Sequence, residues 1–378
     1  MNKSSYNITI CANAAWNIIN FRKNFINFLQ KKNLNLNILT SINKQDFDNL
    51  DFVPKKNLFN VAISRKFFSP FTDMLFLFQI FFYFYKNKTD LIISYTLKAN
   101  LFCLFYSKIF KKKIILNITG LGTTVLTGSI LRKVVFFFYK LLRHNNAFYI
   151  FQNQFDMNLF IENDLIIKNN STVIMGSGVN VNYFYKYISK PISKKIKFLF
   201  VGRIIKQKGF IELIHAFLEL KKKHIDINLH VVGKIDNNNI SKINQSYLDS
   251  LINKKIINYF GFDNDVRSHM ENADCLVLPS YREGTSKVIL EACSMELPII
   301  TTDVPGCNNI IINEYNGFLC KPKDYKDLLK VMNKFINTTD EEKSIMSKNA
   351  RKFVINNFSD EVVFEKYIKY INNVLKVK

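Results

Sequence analysis

Two stretches in the second half of the chain carry side chains able to do chemistry. In FLFVGRIIKQKGFIELIHAF, a strand-like run ends in Gly202, and Arg203 and Lys208 follow before a helix opens near Gly209. A glycine lets backbone approach a ligand closely, while a guanidinium fork and an ammonium group can converge on one point. Such a point suits a diphosphate. A strand, a turn and two solvated surface cations would read the same way, so this stretch alone leaves both accounts open.

The second stretch is DCLVLPSYREGTSKVILEACSMELPIITTDVPGCNNII. The run CLVLPS delivers Glu283 and Gly284 to a loop. Thr285, Ser286 and Lys287 then open a helix whose first N–H groups point back at that loop, an arrangement that attracts anions. Glu291 follows eight positions after Glu283, a little over two turns on, so both carboxylates can reach one cleft from different depths. Glu291 sits within VILEACSM, an apolar stretch that should be buried, where a carboxylate needs partners. Sugar hydroxyls would supply them. The plainer alternative makes Glu283 a solvated loop residue and Glu291 a helix-surface charge.

These side chains need elements to hold them. Short apolar runs alternate with segments at helical spacing, the pattern of parallel strands joined by crossover helices. Strands are expected at NITICA, LNILTS, LIISYT, KKIILNIT, NAFYIFQN and, more weakly, STVIM. Further strands are expected at KIKFLFVG, NLHVVG, IINYFG, DCLVLPS and PIITTD. The segment NYFYKYISKPISKK breaks the pattern. The expected division is a domain over 1–185, a linker over 186–195, a second domain over 196–358, and a final helix over 359–378 packing back towards the first domain. Ser359 or Asp360 would cap that helix. The fold class is α/β, with two doubly wound domains facing across a cleft and ligands bound beyond the carboxyl ends of the strands.

The 378 residues include 53 Lys+Arg and 30 Asp+Glu, a net charge of +23, and 48% are apolar, with 36 Phe and 17 Tyr. That apolar share excludes a disordered chain. The purest apolar run, MLFLFQIFFYFY, spans 12 residues, short of the roughly 20 that a bilayer crossing needs. MNKSSYNITI lacks the apolar core and cleavage site of a secretory signal, so a cytoplasmic protein is expected. The six cysteines have no CxxC pair and read as small buried hydrophobes. Up to Lys190 there are 24 basic and 8 acidic residues, and the same half holds SPFTDMLFLFQIFFYFYK, NLFCLFYSKIFKKK and RKVVFFFYKLLR. Basic residues beside amphipathic aromatic stretches suit an anionic membrane surface. Core packing inside an α/β domain is the expectation for most of those phenylalanines, with surface attachment by one or two patches. A basic chain would also suit nucleic acid, but no nucleic-acid motif is present.

The motifs GRIIKQKG at 202–209, EGTSKVILE at 283–291, PIITTDVPGC at 298–307 and NGFL at 316–319 resemble the retaining nucleotide-sugar glycosyltransferases of family four, with the GT-B fold. In the first half, WNIINFRK at 16–23 and NITGLG at 117–122 are similar to the bacterial subgroup that builds lipid-linked O-antigen, capsule or protein-glycan repeat units. Within that subgroup the likeness is to enzymes adding α-1,3-linked N-acetylgalactosamine to a sugar on undecaprenyl diphosphate. The resemblance implies a UDP-sugar donor, with Arg203 and Lys208 on its diphosphate, Glu291 on its ribose and Glu283 on the transferred sugar. N–H groups around Ser286, Lys287 and Val288 would complete the phosphate cradle, and Gly261 and Phe262 would line the base. It implies retention, a polyprenyl-diphosphate-linked saccharide acceptor, and peripheral attachment to the inner face of the cytoplasmic membrane.

The chain departs from that pattern in its first half. The loop after the first strand reads CANAAWN where many members have a Gly-Gly pair, and Thr119 and Gly120 stand where several place a histidine. The first half's His144 falls in a basic helix candidate. Arg22, in NFRK, is the candidate for an acceptor phosphate, with Thr119 and Gly120 beside the acceptor. Two Asp-x-Asp sequences, Asp46–Asp48 and Asp263–Asp265, could in principle hold a metal, but the second precedes a helix and is expected to cap it. No metal is expected to be required, since Arg203 and Lys208 supply positive charge. A nucleotide-sugar epimerase or hydrolase on a similar frame, and a non-catalytic basic surface-binding protein, are the alternatives.

Overall fold

The computed structural model describes residues 6–64, 69–120, 130–186, 195–223, 226–237, 239 and 241–376. The chain divides into two compact units, Met1–Ser177 with Val363–Lys378, and Gly178–Val362. Of the linker expected at 186–195, residues 187–194 lie outside the described residues.

In the first unit the strands β1 (Asn7–Cys11), β2 (Asn35–Thr40), β3 (Leu58–Asn60), β4 (Leu91–Tyr95), β5 (Lys113–Ile118), β6 (Ala147–Phe151) and β7 (Ser171–Val173) form a parallel sheet in the order β3-β2-β1-β4-β5-β6-β7. The apolar runs are buried on both faces. In β5, Ile115 enters one core while Ile114, Leu116 and Ile118 enter the other, as a two-residue period requires. Helices α1 (Ala15–Phe21) and α2 (Lys23–Lys31) cover one face. The final helix of the chain, Asp360–Lys376, contributes to the same core, with Phe364 and Tyr367 lying 5.2 and 5.0 Å from Phe25. Helices α3 (Pro70–Lys86), α4 (Leu97–Ile109) and α5 (Ile130–Leu142) cover the other face, joined by Phe160 of α6 (Gln154–Glu162).

Among the described residues no helix is long and apolar enough to cross a membrane. All six cysteines are buried and free. The expectation that most phenylalanines of the three aromatic runs pack inside is not met. Phe71, Phe78, Phe81 and Phe82 on α3, Phe105 on α4, and Phe137 and Phe138 on α5 are exposed. Helix α3 is apolar nearly all round, α4 and α5 also carry large apolar side chains away from their inner faces, and the sheet can cover only the inner face of each.

The second unit holds β8 (Ile196–Val201), β9 (Ile227–Val232), β10 (Asn258–Tyr259), β11 (Cys275–Leu278), β12 (Ile299–Thr302) and β13 (Phe318–Cys320), in the parallel order β10-β9-β8-β11-β12-β13. Its helices are α7 (Phe210–Lys223), α8 (Gln245–Asn253), α9 (Arg267–Glu271), α10 (Lys287–Ser294), α11 (Tyr325–Asn337) and α12 (Asp340–Phe358); the final helix is α13. The expected α/β class, with two doubly wound parallel sheets, is thus present. Both sheets reverse direction beside their first strand, between β1 and β4 and between β8 and β11. In such sheets the crevice at the carboxyl ends of those two strands is where ligands bind.

Candidate functional site

The reversal point of the second sheet gathers the residues that the sequence singled out. Gly202 directly follows strand β8, Gly233 directly follows β9, and Gly261 comes two residues after β10. Their backbones run side by side, with Gly202 N–H donated to the Val232 carbonyl (3.0 Å) and Gly233 N–H to the Gly261 carbonyl (2.6 Å). A Cβ on Gly233 would overlap the Gly202 carbonyl oxygen, whereas one on Gly202 or Gly261 would meet nothing within 4 Å. The three glycines therefore make a low rim with open space above two of them. Gly233 was not singled out from the sequence, although NLHVVG ends as KIKFLFVG does.

Arg203 follows directly, more than half exposed, and donates to Asp236 Oδ2 at 2.8 Å. Lys208 closes a short 3-10 turn over Lys206–Lys208. The loop after β8 is locked to the loop after β11 by Tyr281 N–H on the Gln207 carbonyl (2.9 Å). Lys208 Nζ is thereby brought onto Glu283 Oε1 in a charge-assisted hydrogen bond, and Ser280 Oγ donates to the same oxygen at 2.7 Å. Both side chains are mostly buried, 19% and 14% exposed, which strengthens their attraction relative to a surface pair.

The loop carrying Glu283 is held by the segment after β12. Glu283 N–H donates to the Pro305 carbonyl (3.3 Å) and Ser286 N–H to the Gly306 carbonyl (3.1 Å). Gly306 has φ +86°, and a Cβ there would fall 2.5 Å from the Glu283 carbonyl oxygen and 2.6 Å from that of Gly284. Only glycine fits. The proline and glycine of PIITTDVPGC thus act as a clamp on the Glu283 loop, a role the sequence motif did not reveal.

Helix α10 starts at Lys287 after Gly284, Thr285 and Ser286, with Val288 in its first turn. Of the N–H groups expected to form an anion cradle, that of Ser286 is committed to Gly306, so a cradle would draw on the residues after it. Glu291 is buried, 9% exposed, on the same helix. Burial pushes its carboxyl up to about 7, against the pull of Lys287, and the nearby charge of Asp265 adds to the rise. Asp265 is gripped by Arg267 through Nε (2.8 Å) and Nη2 (2.5 Å), and the Arg267 guanidinium lies 3.8 Å from the centre of the Tyr183 ring. Hydrogen bonding from Arg267 holds Asp265 below the usual carboxylate range. Phe262, half exposed, lies under Lys234 Nζ at 4.8 Å.

The Asp-x-Asp pairs are taken up by backbone. Asp263 accepts from Asp265 N–H (3.0 Å), and Asp265 accepts from Arg267 N–H (3.2 Å) at the start of α9. Asp46 closes a capping box with Asn43. Among the described residues no group of three or more His, Cys, Asp or Glu could hold a metal ion.

In the first unit Arg22 joins α1 to α2 and is buried, 5% exposed. Its guanidinium lies 3.9 Å from the centre of the Tyr95 ring at the carboxyl end of β4, and among the described residues its Nε has no hydrogen-bond partner. Thr119 and Gly120 follow the neighbouring strand β5 and line a cavity of about 30 Å³ with Thr96, Asn100 and Tyr139. The structure therefore sets these acceptor candidates at adjacent strand ends. His144 lies two residues beyond α5 rather than inside it, at the amino end of β6, where its Nε2 pairs with Ser107 Oγ at 2.9 Å. That end of a parallel sheet faces away from the ligand edge.

Residues 184–353 match the family of glycosyl transferases group 1. The chain is 28% identical over 370 residues to the capsular polysaccharide biosynthesis glycosyltransferase CapM of Staphylococcus aureus, covering 93% of each chain. It is 28% identical over 275 residues to the N,N'-diacetylbacillosaminyl-diphospho-undecaprenol alpha-1,3-N-acetylgalactosaminyltransferase of Campylobacter jejuni, covering 68% of this chain and 70% of that one. In fold it is similar to Anabaena Alr3699/HepE, solved with UDP and glucose, at a TM-score of 0.78 and 15% identity over 97% of this chain and 99% of that one. With both sheets and the matched motifs in place, the chain has the GT-B fold, its residues 184–353 match the group 1 glycosyltransferases, and it is similar to bacterial enzymes of capsule and undecaprenyl-linked glycan assembly.

Proposed function

We propose that this protein is a retaining glycosyltransferase that moves a hexose or N-acetylhexosamine, such as N-acetylgalactosamine, from a UDP-sugar to a polyprenyl-diphosphate-linked saccharide. The reading rests above all on one observation: Lys208 and Glu283 pair between the loops after β8 and β11, the loops that also carry Arg203 and lead into α10, beside a rim of glycines. Support also comes from the relatives, of which one is named for N-acetylgalactosamine transfer to an undecaprenol-diphosphate carrier.

In this reading the UDP diphosphate lies over Gly202 and is met by Arg203, Lys208 and N–H groups of Lys287 and Val288. Glu291 accepts hydrogen bonds from the ribose, Gly261 and Phe262 flank the base, and Glu283 holds hydroxyls of the transferred sugar. The bond from the anomeric carbon to the UDP oxygen breaks as the acceptor oxygen bonds on the same face. The acceptor's proton passes to the departing diphosphate. Preorganised cations and amides stabilise the charge growing on that group. Arg22 contacts the acceptor phosphate, Thr119 and Gly120 border its sugar, and the enzyme works without a metal, peripherally on the inner face of the cytoplasmic membrane.

Titration of the purified protein with UDP, GDP and ADP, each with and without a chelator, tests the donor half. UDP-selective binding indifferent to the chelator is the expected result, and binding of none of the three would remove the reading. The acceptor half is tested by sugar transfer to a short-chain polyprenyl-diphosphate saccharide in detergent. A trapped covalent glycosyl-enzyme would exclude the same-face mechanism.

A further inference from the structure

We infer that the outer surface of the α3–α4–α5 layer inserts its aromatic stripes into an anionic phospholipid bilayer. The inference rests on the membrane-facing reading above and assigns it to particular side chains. All three helices bury their inner faces in one core, through Phe76 and Ile80 of α3, Cys103 and Leu104 of α4, and Val135 and Tyr139 of α5. Their outer faces therefore point the same way, off one side of the sheet. On α3 the exposed large side chains are Phe71, Met74, Leu75, Phe78, Phe81, Phe82 and Tyr85, a stripe with helical periodicity. On α5 they are Ile130, Val134, Phe137, Phe138 and Leu141, again one stripe. Between them α4 adds Phe105 and Ile109.

The exposed portions of these side chains amount to roughly 1,500 Å², taking about 200 Å² for a large side chain. The largest apolar patch on a typical monomer is about 300–600 Å². Such an area marks a face that meets something apolar, and the surrounding charge selects the partner. Between residues 70 and 143 there are 11 Lys+Arg and 2 Asp. Of the two, Asp73 is neutralised by Lys98 at 2.6 Å. Lys86, Lys108, Arg132, Lys133 and Lys140 belong to the same three helices as the stripes. Apolar stripes with long cationic side chains beside them fit acyl chains under anionic headgroups, as in helices that lie in the interface plane. A second copy of the chain would bring like charge against like charge.

The test is co-sedimentation of the full chain with vesicles of phosphatidylcholine alone and with 30% phosphatidylglycerol. Wild type is expected to bind the phosphatidylglycerol vesicles and to keep part of that binding at 0.5 M NaCl, because buried aromatics are not screened. The triple variant Phe78→Ser, Phe82→Ser, Phe137→Ser is expected to lose at least tenfold in partitioning with its thermal melt preserved. The matching triple Leu variant, which keeps the apolar surface, should bind. Wild type that stays in the supernatant, or a Ser variant that binds as wild type does, overturns the assignment. So does a concentration-dependent dimer without vesicles that the Ser variant abolishes, since a second copy would then cover the face. Transfer in detergent does not require this face. Wild type that transfers sugar but does not bind vesicles sinks only the present inference, and wild type that binds vesicles without transfer sinks only the proposed function.

Discussion

Lys287 Nζ lies 3.6 Å from Glu291 Oε1, one turn before it on α10, and this contact works against the burial that pushes the Glu291 carboxyl up to about 7. The folded state therefore holds the Glu291 proton more tightly than the unfolded chain does. Stability from this group is fully present below pH 4.5 and is lost as pH rises towards 7. The loss is about 3 kcal/mol for a shift of this size. Thermal melts of wild type and Glu291→Gln at pH 5 and pH 8 check the sign. Wild type should be less stable at pH 8, and the variant should show a smaller difference.

Donor binding should be linked to the same proton. An ionised acceptor holds hydroxyls more strongly, so UDP binding near pH 6.5 is expected to release a proton from Glu291. Titration calorimetry in buffers of different ionisation enthalpy measures that release directly. Glu291→Ala should weaken UDP binding by about 1.5–3 kcal/mol, or about 10- to 150-fold. Unchanged affinity in a folded variant would remove the ribose assignment.

Lys208 and Glu283 form one ion-paired unit at the point where the loops after β8 and β11 meet. Lys208→Ala and Glu283→Ala should each lower turnover by about 100- to 1,000-fold if the pair acts on the leaving group and the transferred sugar. In urea unfolding, the double variant should be less destabilised than the two single changes added together. A coupling of about 1 kcal/mol or more is expected for neighbours in mostly buried contact. Additive effects would show that the pair is not a unit.

Gly306→Ala tests the clamp on the Glu283 loop. Its added carbon would press on the carbonyl oxygens of Glu283 and Gly284 from a positive φ, a strain of about 1–3 kcal/mol. Activity should fall further than that loss of stability explains, because the displaced loop carries Glu283. Measuring turnover beside the melting temperature separates the two effects.

Arg22 sits at the reversal point of the first sheet, stacked on Tyr95, with a buried Nε that has no hydrogen-bond partner among the described residues. A charge kept buried without full pairing adds little to stability. Arg22→Met is therefore expected to leave the melt within a few degrees, leave the donor KM unchanged, and raise the acceptor KM. A variant with normal acceptor kinetics would reduce Arg22 to a packing role.

How far the sequence could be read depended on whether a residue's role was local. KIILNIT and CLVLPS announce buried strands because parallel strands are apolar on both faces. The edge strands β3 and β13 were not expected: NLFN and NGFL have too short an apolar run to read as strands, whereas the similarly short β7 and β10 lie in the longer runs STVIM and IINYFG. Arg203, Lys208 and Glu283 could be proposed from the sequence because each follows a recognisable strand, and Glu291 because it stands in an apolar helical run. The clamp by Gly306, the rim residue Gly233 and the Arg267–Asp265–Tyr183 group were not, since each depends on contact between loops from different strands. For the aromatic helices, periodicity could place the side chains on a face but could not say that the sheet covers one side alone.

The last helix also has a consequence for how the chain is made. Val363, Phe364, Tyr367 and Ile371 of α13 belong to the core built around β1, β4 and α2, although more than 180 residues of the other unit intervene. During vectorial synthesis the second unit has its whole sequence before the first does, and the first core stays open until the chain has passed residue 371. A fragment stopping at Ser177 would carry that gap permanently, so halves expressed separately should be split with residues 363–378 supplied to the first.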